Sequence, residues 1–468
     1  MDVAERAVST VSDSIRLHGR PLPEASFRAD TSRQLRRKSQ LSQTLWANWC
    51  GLGVASGLFV KIIGYLTMLE AYFLITFPLR MQSVLNAAFA RGCVTFTVLW
   101  IGWVVGAAIA DIANDSPFSL AARGFSRAFF LGFVCLCLVP LWARMPRSFE
   151  AFLAGVPVAH VIGLKYFRSG TYTTLDGEID ASTLGWENWT NYFVTSIVVY
   201  IIASQWRKRP WQCVAIAGLS GAVNLAMGSR SAGATQLLAA AVMPFFIHPS
   251  RNADLAWRRI VRKLGMGRLV AIVVVAVIAT AAVSETYGYL VTSGRLGERA
   301  KVKYEKQKNA KGGMLVGGRS EFFVGLAAAL DKPLLGHGSW PEDTVGYAEK
   351  ASARFGIEIK EDRNRDKRLR KFIKVHSAVM SAWVDHGILA AMFWVYIFIL
   401  VLRNVPRAVT YMPEYAGVIV FNAVAFLWAF FFSPIQQRSY NAIVFVPLLI
   451  IQMRHMQAAV ERRSHATG

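Results

Sequence analysis

Two arginines and one histidine occupy positions in the 468-residue chain from which they could serve a single site. Arg230 lies in the short turn MGSRSAG, Arg319 lies in GGRSEFF, and His376 opens the segment HSAVMSAWVDHG. Arginine carries a planar fork of donors that stays charged and binds phosphate oxygens. Histidine is the side chain best suited to accept a proton near neutral pH. These residue types fit a reaction in which two arginines stabilise a leaving diphosphate while the histidine activates a hydroxyl, so that no metal is required.

The sequence lacks the motifs by which many soluble enzymes are recognised. GxxxxGK[ST], GxGxxG after a strand, HExxH, GxSxG and Asp-x-Asp do not occur. The pairs Glu342–Asp343 and Glu361–Asp362 stand near basic residues and are interpreted as solvated surface charge. The five cysteines have no metal-ligand spacing. We therefore expect neither a metal ion nor a cofactor at the site.

The elements that must position these residues are membrane helices. The chain is 54% hydrophobic and only 17% charged, and its mean hydropathy is +0.35. Apolar runs of about twenty residues, long enough to cross a hydrocarbon core as helices, recur along it. The sequence predicts an all-α polytopic membrane protein with about twelve transmembrane helices and one large, partly helical periplasmic loop. The predicted spans lie near 52–66, 67–79, 92–112, 124–143, 149–167, 190–206, 211–228, 231–248, 268–286, 376–403, 413–432 and 440–456. The first two are short and are interpreted as a tight hairpin or a re-entrant pair.

The net charge of +23 is explained by the positive-inside rule rather than by nucleic acid. Alternation of the spans puts every short basic loop on one face, and both termini on that cytoplasmic face, as expected for a multi-pass protein of the bacterial inner membrane. The same alternation turns the polar segment 287–375 to the outside. The predicted organisation is a basic cytoplasmic tail (1–44), an N-terminal transmembrane bundle (45–286), a periplasmic loop domain (287–375), C-terminal transmembrane helices (376–456) and a second cytoplasmic tail (457–468).

This topology brings Arg230, Arg319 and His376 to the outer membrane edge. An isolated arginine there is often a snorkelling anchor, and a histidine at a helix start is often a structural hydrogen-bonder. Their convergence on one face favours a functional site. His376 is predicted at a helix N-terminus, where the helix dipole disfavours a charged imidazolium and leaves the ring free to accept a proton.

In order, spacing and shared face, the motifs resemble those of the bacterial O-antigen ligase and O-antigen/exopolysaccharide polymerase superfamily. The resemblance covers about 210–405 and includes Arg230, Arg319, Pro333-Leu334-Leu335-Gly336-His337-Gly338, and His376 followed by Gly387. It implies a membrane-embedded, inverting, metal-independent glycosyltransferase whose donor is a glycan linked to polyprenyl (undecaprenyl) diphosphate. By position, Arg230 and Arg319 would bind the diphosphate and His376 would be the catalytic base.

The resemblance leaves several roles open around this core. Gly336, His337 and Gly338 are candidate substrate contacts, because glycines allow close approach of the backbone. Asp385 lies about 180° around the helix from His376 and is not expected to orient it. The glycine at 387, the last residue of the histidine motif, is expected to allow close helix packing.

The sequence does not decide between two transferase reactions of polysaccharide and lipopolysaccharide biosynthesis. A ligase would transfer the glycan to a lipid A–core glycolipid, and a polymerase would join it to a second carrier-linked glycan. The basic segment 359–374 slightly favours the ligase, since it could bind lipid A phosphates, an acidic glycan or anionic membrane lipids; it could also be a solvated charged helix. A transporter of lipid-linked sugars and a structural membrane protein that docks an acidic polymer are the alternatives from other classes.

Overall fold

The computed structural model divides the chain into two units, Met1–Trp49 and Cys50–Gly468. In the first unit, residues 43–49 are helical. The second unit contains the candidate site. The residues that the structure describes are 43–61, 65–90, 92–167, 172–174, 177–179, 186–226, 229–247, 320–355, 372–373, 375, 377–432 and 440–467, with isolated residues between 274 and 305.

Helices predominate in the second unit. They are α1 (Met68–Ala88), α2 (Val94–Ala113), α3 (Phe118–Arg144), α4 (Pro146–Phe167), α5 (Trp186–Gln205), α6 (Pro210–Ala226), α7 (Arg230–Val242), α8 (Ser320–Asp331), α9 (Tyr347–Phe355), α10 (Ala378–Asn404), α11 (Ala408–Tyr411), α12 (Ala416–Phe432) and α13 (Tyr440–Thr467). Within the described residues, 3₁₀ turns cover Met243–Phe246 and Val405–Arg407. The short strands are β1 (Phe59–Lys61), β2 (Tyr65–Thr67), β3 (Tyr172–Thr174) and β4 (Gly177–Ile179), paired β1 with β2 and β3 with β4, both antiparallel.

Three helical runs in the described part of the chain are long and apolar enough to cross a membrane. They are Val94–Ala113, Phe118–Arg144 and Ala378–Tyr411, while 193–205, 231–246 and 416–432 are apolar but shorter. The protein is therefore mostly helical and has the helices expected of a membrane protein, and the count of twelve spans stays a prediction. The predicted span 268–286 lies largely outside the described residues. α13 continues to Thr467, so most of 457–468 extends a helix.

The first predicted span, 52–66, is not a single helix. Its helical residues end at 55, and the chain then forms the β1–β2 hairpin. α1 begins after Thr67, whose hydroxyl accepts from the backbone N–H of Glu70 at 3.1 Å while the Glu70 carboxylate accepts from the backbone N–H of Thr67 at 2.8 Å. This reciprocal cap, together with the favourable position of a carboxylate at a helix N-terminus, places Glu70 at a helix start rather than in mid-span.

Helices α2 and α10 pack antiparallel, which defines the two ends of the helices around the site. Near the start of α2, Phe96 lies 5.5 Å from Phe393 between ring centroids, and further along α2, Trp103 bonds to His386. As α2 advances, its partners in α10 therefore move back towards the start of that helix. The end of α2, the start of α3 and the start of α10 consequently share one end, which we call the Ser377 end after the N-cap residue of α10.

The chain from α5 to α7 arrives at the same end. Ile202 and the residue Trp206 that follows α5 lie against Gly417 near the start of α12. α6 then leads away over 17 residues, or about 25 Å. α7 packs antiparallel to α6. Gly221 and Gly233 allow the backbones of the two helices to approach closely. α12 also runs away from Trp206, and it ends beside the start of α10. Arg230, the first residue of α7, therefore begins its helix at the Ser377 end.

Helix α10 is interrupted where two residues leave helical conformation. His386 has φ −127° and ψ 15°, and Gly387 has φ 72° and ψ −164°. A positive φ with such a ψ is accessible to glycine and strained for residues with a Cβ. Gly387 also lies directly against the backbone of Leu334. The expected close packing at Gly387 therefore exists, but its partner is a loop, and the glycine breaks the helix instead of continuing it.

Substitution Gly387→Ala is expected to lower the free energy of unfolding by at least about 1–3 kcal/mol, because the backbone conformation is strained for alanine and the added Cβ meets Leu334. Denaturant unfolding of the purified protein in detergent measures the effect. Gly102→Ala is the matched control: it lies within α2, and in the described part of the chain no atom beyond its own stretch of helix lies within 4 Å of the added Cβ. Alanine should there change stability by about 1 kcal/mol or less, in the stabilising direction. Equal effects of the two substitutions would contradict the assigned kink.

Candidate functional site

Helices α8 and α10 pack in parallel. A Cβ on Gly325 would lie 3.2 Å from Cβ of Met380, so the two backbones are close there. Further along both helices, His337 bridges them: its backbone N–H donates to the Val384 carbonyl at 2.7 Å, and its Nε2 lies 2.9 Å from the Ala328 carbonyl. Because both helices advance from the first contact to the second, they run in the same direction, and their N-termini lie together.

The predicted site residues immediately precede these helix starts. Arg319 precedes the first residue of α8, and His376 precedes the N-cap of α10. Arg319, His376 and the side chain of Arg230 lie outside the described residues, so their predicted roles stay predictions. The structure does bring to the Ser377 end the three helix starts to which they are attached.

Ser377 fixes the start of α10 in two ways. Its hydroxyl accepts from the backbone N–H of Met380 at 3.3 Å, which caps the helix, and donates to the carbonyl of Phe430 at the end of α12 at 2.7 Å. The side chain is fully buried. The residue that follows His376 is therefore tied both to its own helix and to a neighbouring one.

The segment 333–338 replaces the hydrogen bonds that the kink in α10 removes. In an unbroken helix the N–H of Ile388 would donate to the Val384 carbonyl. Here the Ile388 N–H donates to the Leu334 carbonyl at 3.1 Å, and the Val384 carbonyl accepts from His337 instead. The loop therefore satisfies polar backbone groups that would otherwise be left without partners inside an apolar helix bundle.

The two glycines of the Pro-Leu-Leu-Gly-His-Gly segment are required by this contact. Gly336 and Gly338 have φ values of 75° and 84°, and a Cβ on Gly336 would lie 2.6 Å from the backbone N of Gly387. The N–H of Gly338 donates to the Asp385 carbonyl at 3.0 Å. The structure thus joins the glycines of two separate sequence motifs in one backbone contact. Their predicted contact with substrate is not tested by this geometry.

The His337 side chain also contributes to the packing of α8 and α9. Burial lowers the pKa of His337, so the neutral ring is favoured and its Nε2–H donates to the Ala328 carbonyl. The ring centroid lies 5.4 Å from that of Tyr347, whose hydroxyl donates to Asp331 at 2.5 Å. This hydrogen bond lowers the pKa of Asp331. Nε2 is occupied within the fold, and the predicted substrate contact of His337 stays a prediction.

A chain of side-chain hydrogen bonds joins α2, the loop and α10 beside this contact. Trp103 Nε1 donates to His386 Nδ1 at 3.0 Å, and His386 Nε2 lies 3.0 Å from the Ser339 hydroxyl. That hydroxyl lies 2.8 Å from Asp111 Oδ2, while Asp111 Oδ1 accepts from the Ser339 backbone N–H at 2.6 Å. All four side chains are buried.

An ion pair lies next to this chain. Arg127 in α3 and Asp385 in α10 meet at 2.5 Å, with 11% and 9% of their side-chain surfaces exposed. The guanidinium carbon of Arg127 also lies 5.3 Å from the ring centroid of Trp340, a residue with a positive φ of 52°. Arg127 Nε is buried and has no hydrogen-bond partner among the residues that the structure describes. Asp385 thus pairs with a residue of another helix.

A small cavity lies between Arg127 of α3 and the first turns of α10. Its lining combines two indole rings, a guanidinium group and small side chains: Trp103, Arg127, Leu131, Ala378, Ser381, Ala382 and Trp394. Among the residues that the structure describes, no group of three or more histidine, cysteine or acidic side chains is placed to hold a metal. Besides the two indole rings, the polar side chains in the lining are those of Arg127 and Ser381.

Sequence reasoning did not identify Arg127 or Ser339 as members of the site. Arg127 lies inside the predicted span 124–143 and Asp385 inside the span 376–403, and opposite charges within spans are expected to pair. That rule could have found the ion pair. Asp111 lies inside the predicted span 92–112, but nothing in the sequence indicates that its partner is a loop serine.

No family model matches the chain, and no curated protein matches it. A function must therefore be argued from the motifs, from the side chains at the Ser377 end and from the way in which the helices position them.

Removing one member of the ion pair should destabilise the protein strongly. Arg127→Met leaves the Asp385 carboxylate buried without its partner, and Asp385→Asn leaves Arg127 without its anion, so each should cost about 3–5 kcal/mol of unfolding free energy. The double variant should recover a large part of this loss, because no unpaired charge remains. A double-mutant cycle measured by denaturant unfolding gives the coupling, and strictly additive losses would show that the two side chains do not interact.

Proposed function

We propose that the chain is an inverting, metal-independent glycosyltransferase of the O-antigen ligase type. It transfers a glycan from a polyprenyl-diphosphate carrier to a hydroxyl of a lipid A–core glycolipid at the periplasmic face of the bacterial inner membrane. The proposal includes about twelve spans, cytoplasmic termini and a periplasmic segment 287–375. It draws on the motif resemblance and on the common location of three helix starts.

The observation that carries the proposal is the parallel packing of α8 and α10. Gly325 against Met380 and the His337 bridge bring together the helix starts that follow Arg319 and His376. α7 begins with Arg230 at the same end. Arg319 and His376, far apart in sequence, thus directly precede two helix N-termini that lie side by side. Such termini favour anions, which supports a site for a diphosphate.

The proposed chemistry assigns one task to each residue. His376 takes the proton of the acceptor hydroxyl, whose oxygen attacks the anomeric carbon of the donor sugar from the face opposite the diphosphate. The bond between that carbon and the diphosphate oxygen breaks, and the electron pair leaves with the diphosphate. Arg230 and Arg319 bind this leaving group and stabilise its charge as it develops. The anomeric configuration is inverted because displacement is direct.

The test is transfer in vitro by the purified full-length protein, with a carrier-linked glycan and either a lipid A–core acceptor or a second carrier-linked glycan. His376→Ala should reduce kcat by about 10²–10⁴-fold, the usual contribution of a general base. His465→Ala, which removes an exposed histidine of α13, is the matched control and should leave kcat unchanged. If the protein uses neither acceptor, and the cellular glycan profile is unaltered in the His376→Ala strain, the proposal that the protein is a glycosyltransferase is refuted.

The arginines give a second prediction. Arg230→Lys and Arg319→Lys keep the charge but lose the bidentate fork, and each should lower kcat by about 10²-fold or more when measured in the same assay. Arg462→Lys, an exposed position near the end of α13, serves as the control. A chelator should leave the native rate unchanged, and loss of transfer on chelation would overturn the metal-independent mechanism.

The choice of acceptor separates the ligase from the polymerase. Transfer of the glycan to lipid A–core supports the ligase reaction. If the protein instead joins two carrier-linked glycans, it is a polymerase with the same diphosphate site. Movement of a carrier-linked glycan across vesicles without any new glycosidic bond would instead identify the transporter.

A further inference from the structure

We propose that Ser339 is a positioning residue that locks the loop after α8 onto the kink of α10. The lock is the hydrogen-bond chain from Trp103 through His386 and Ser339 to Asp111. Through it, the helix that follows Arg319 is held in a fixed relation to the helix that follows His376. The effect of this lock on kcat rests on the proposed transferase function, whereas the existence of the hydrogen-bond chain does not.

The donors and acceptors of this chain can be assigned in one direction only. The indole N–H of Trp103 is a donor and cannot accept, so His386 Nδ1 must carry no proton. The neutral ring then carries its proton on Nε2 and donates it to the Ser339 oxygen. The Ser339 O–H is left to donate to the Asp111 carboxylate, which also accepts the Ser339 backbone N–H. Each polar atom in the chain therefore has a partner of the right kind.

This direction excludes a nucleophilic role for Ser339, although serine, histidine and aspartate are the members of a catalytic triad. In a triad the histidine accepts the serine proton and the carboxylate orients the histidine. Here the histidine donates to the serine, a tryptophan bonds to its other nitrogen, and the carboxylate bonds to the serine directly. Ser339 is also only 2% exposed. The geometry fits a structural connection between elements.

The lock acts on the segment that joins α8 to the rest of the site. One side of the segment is held by the backbone bonds of Leu334 and His337 to α10, and Ser339 adds the connection to α2. Helix α3 packs closely against the same residues, because a Cβ on Gly124 would clash with the Ser339 side chain and lie 3.1 Å from His386 Nε2. Small shifts of this segment would therefore be transmitted to α8.

Ser339→Ala and Asp111→Asn test the lock. Alanine removes the hydroxyl that both neighbours use, and asparagine can accept only one of the two Ser339 donors while presenting its own N–H groups to the other. Hydrogen–deuterium exchange of the full-length protein in detergent should show amides of 337–339 exchanging at least about 10-fold faster in both variants. Ser196→Ala is the matched control, since its buried hydroxyl donates to the Phe193 carbonyl of its own helix, one turn earlier.

The same variants separate positioning from stability in the transfer assay. Misplacement of α8 relative to α10 should lower kcat per folded molecule by up to about 10²-fold, with donor KM changed much less. Unchanged exchange at 337–339 would overturn the lock. Faster exchange with native kcat and KM would overturn the positioning role. If the native protein transfers no glycan, the proposed function fails, and the exchange data alone still decide whether the lock exists.

Discussion

The arrangement of the site depends on a single constraint: a helix broken inside an apolar bundle must find new partners for the backbone groups that it exposes. α10 breaks at His386 and Gly387, and the unsatisfied carbonyl and amide groups are taken up by the returning loop at Leu334, His337 and Gly338. Leaving such groups unpaired in a membrane interior would cost several kcal/mol each. The loop therefore supplies hydrogen bonds that an unbroken helix would have made within itself. Because the loop directly follows α8, these bonds also fix where α8 ends relative to α10.

Three charged side chains lie close to this break in α10, although the backbone contact between the loop and α10 does not itself require them. Asp111, Arg127 and Asp385 come from three helices and are all buried or nearly so. Asp385 is neutralised by Arg127, and Asp111 is stabilised by two donors from Ser339. Buried ionic groups are weak evidence for stability but can specify one arrangement over its alternatives. Here they join α2 and α3 to the kink, so that the register of the loop is set by side chains as well as by the backbone.

The sequence predicted the helices better than it predicted the contacts between them. Long apolar runs such as those of α2 and α3 identify helices directly, since length and hydropathy are local properties. The motif glycines at 336, 338 and 387 were recognised, but their joint purpose depends on a contact between segments about fifty residues apart, which no local pattern contains. The segment 52–66 is predicted as a short span in a tight hairpin or re-entrant pair of helices, because its apolar residues do not reveal that 59–61 pair with 65–67 as strands. The direction of α8 relative to α10 was likewise not accessible from sequence.

The parallel direction of α8 and α10 has a consequence for electrostatics. Antiparallel neighbours place a positive helix terminus beside a negative one, and their effects on a bound ion partly cancel. α8 and α10 instead direct both N-termini to the Ser377 end, and α7 begins there as well. Their unsatisfied N–H groups add to the charge of any nearby arginine, within the first turn, where such effects are largest. A leaving diphosphate would gain from this sum, whereas a neutral or cationic ligand would not. The kink and the loop that completes it are what make this direction possible, because they turn the chain after α8 back along the first half of α10.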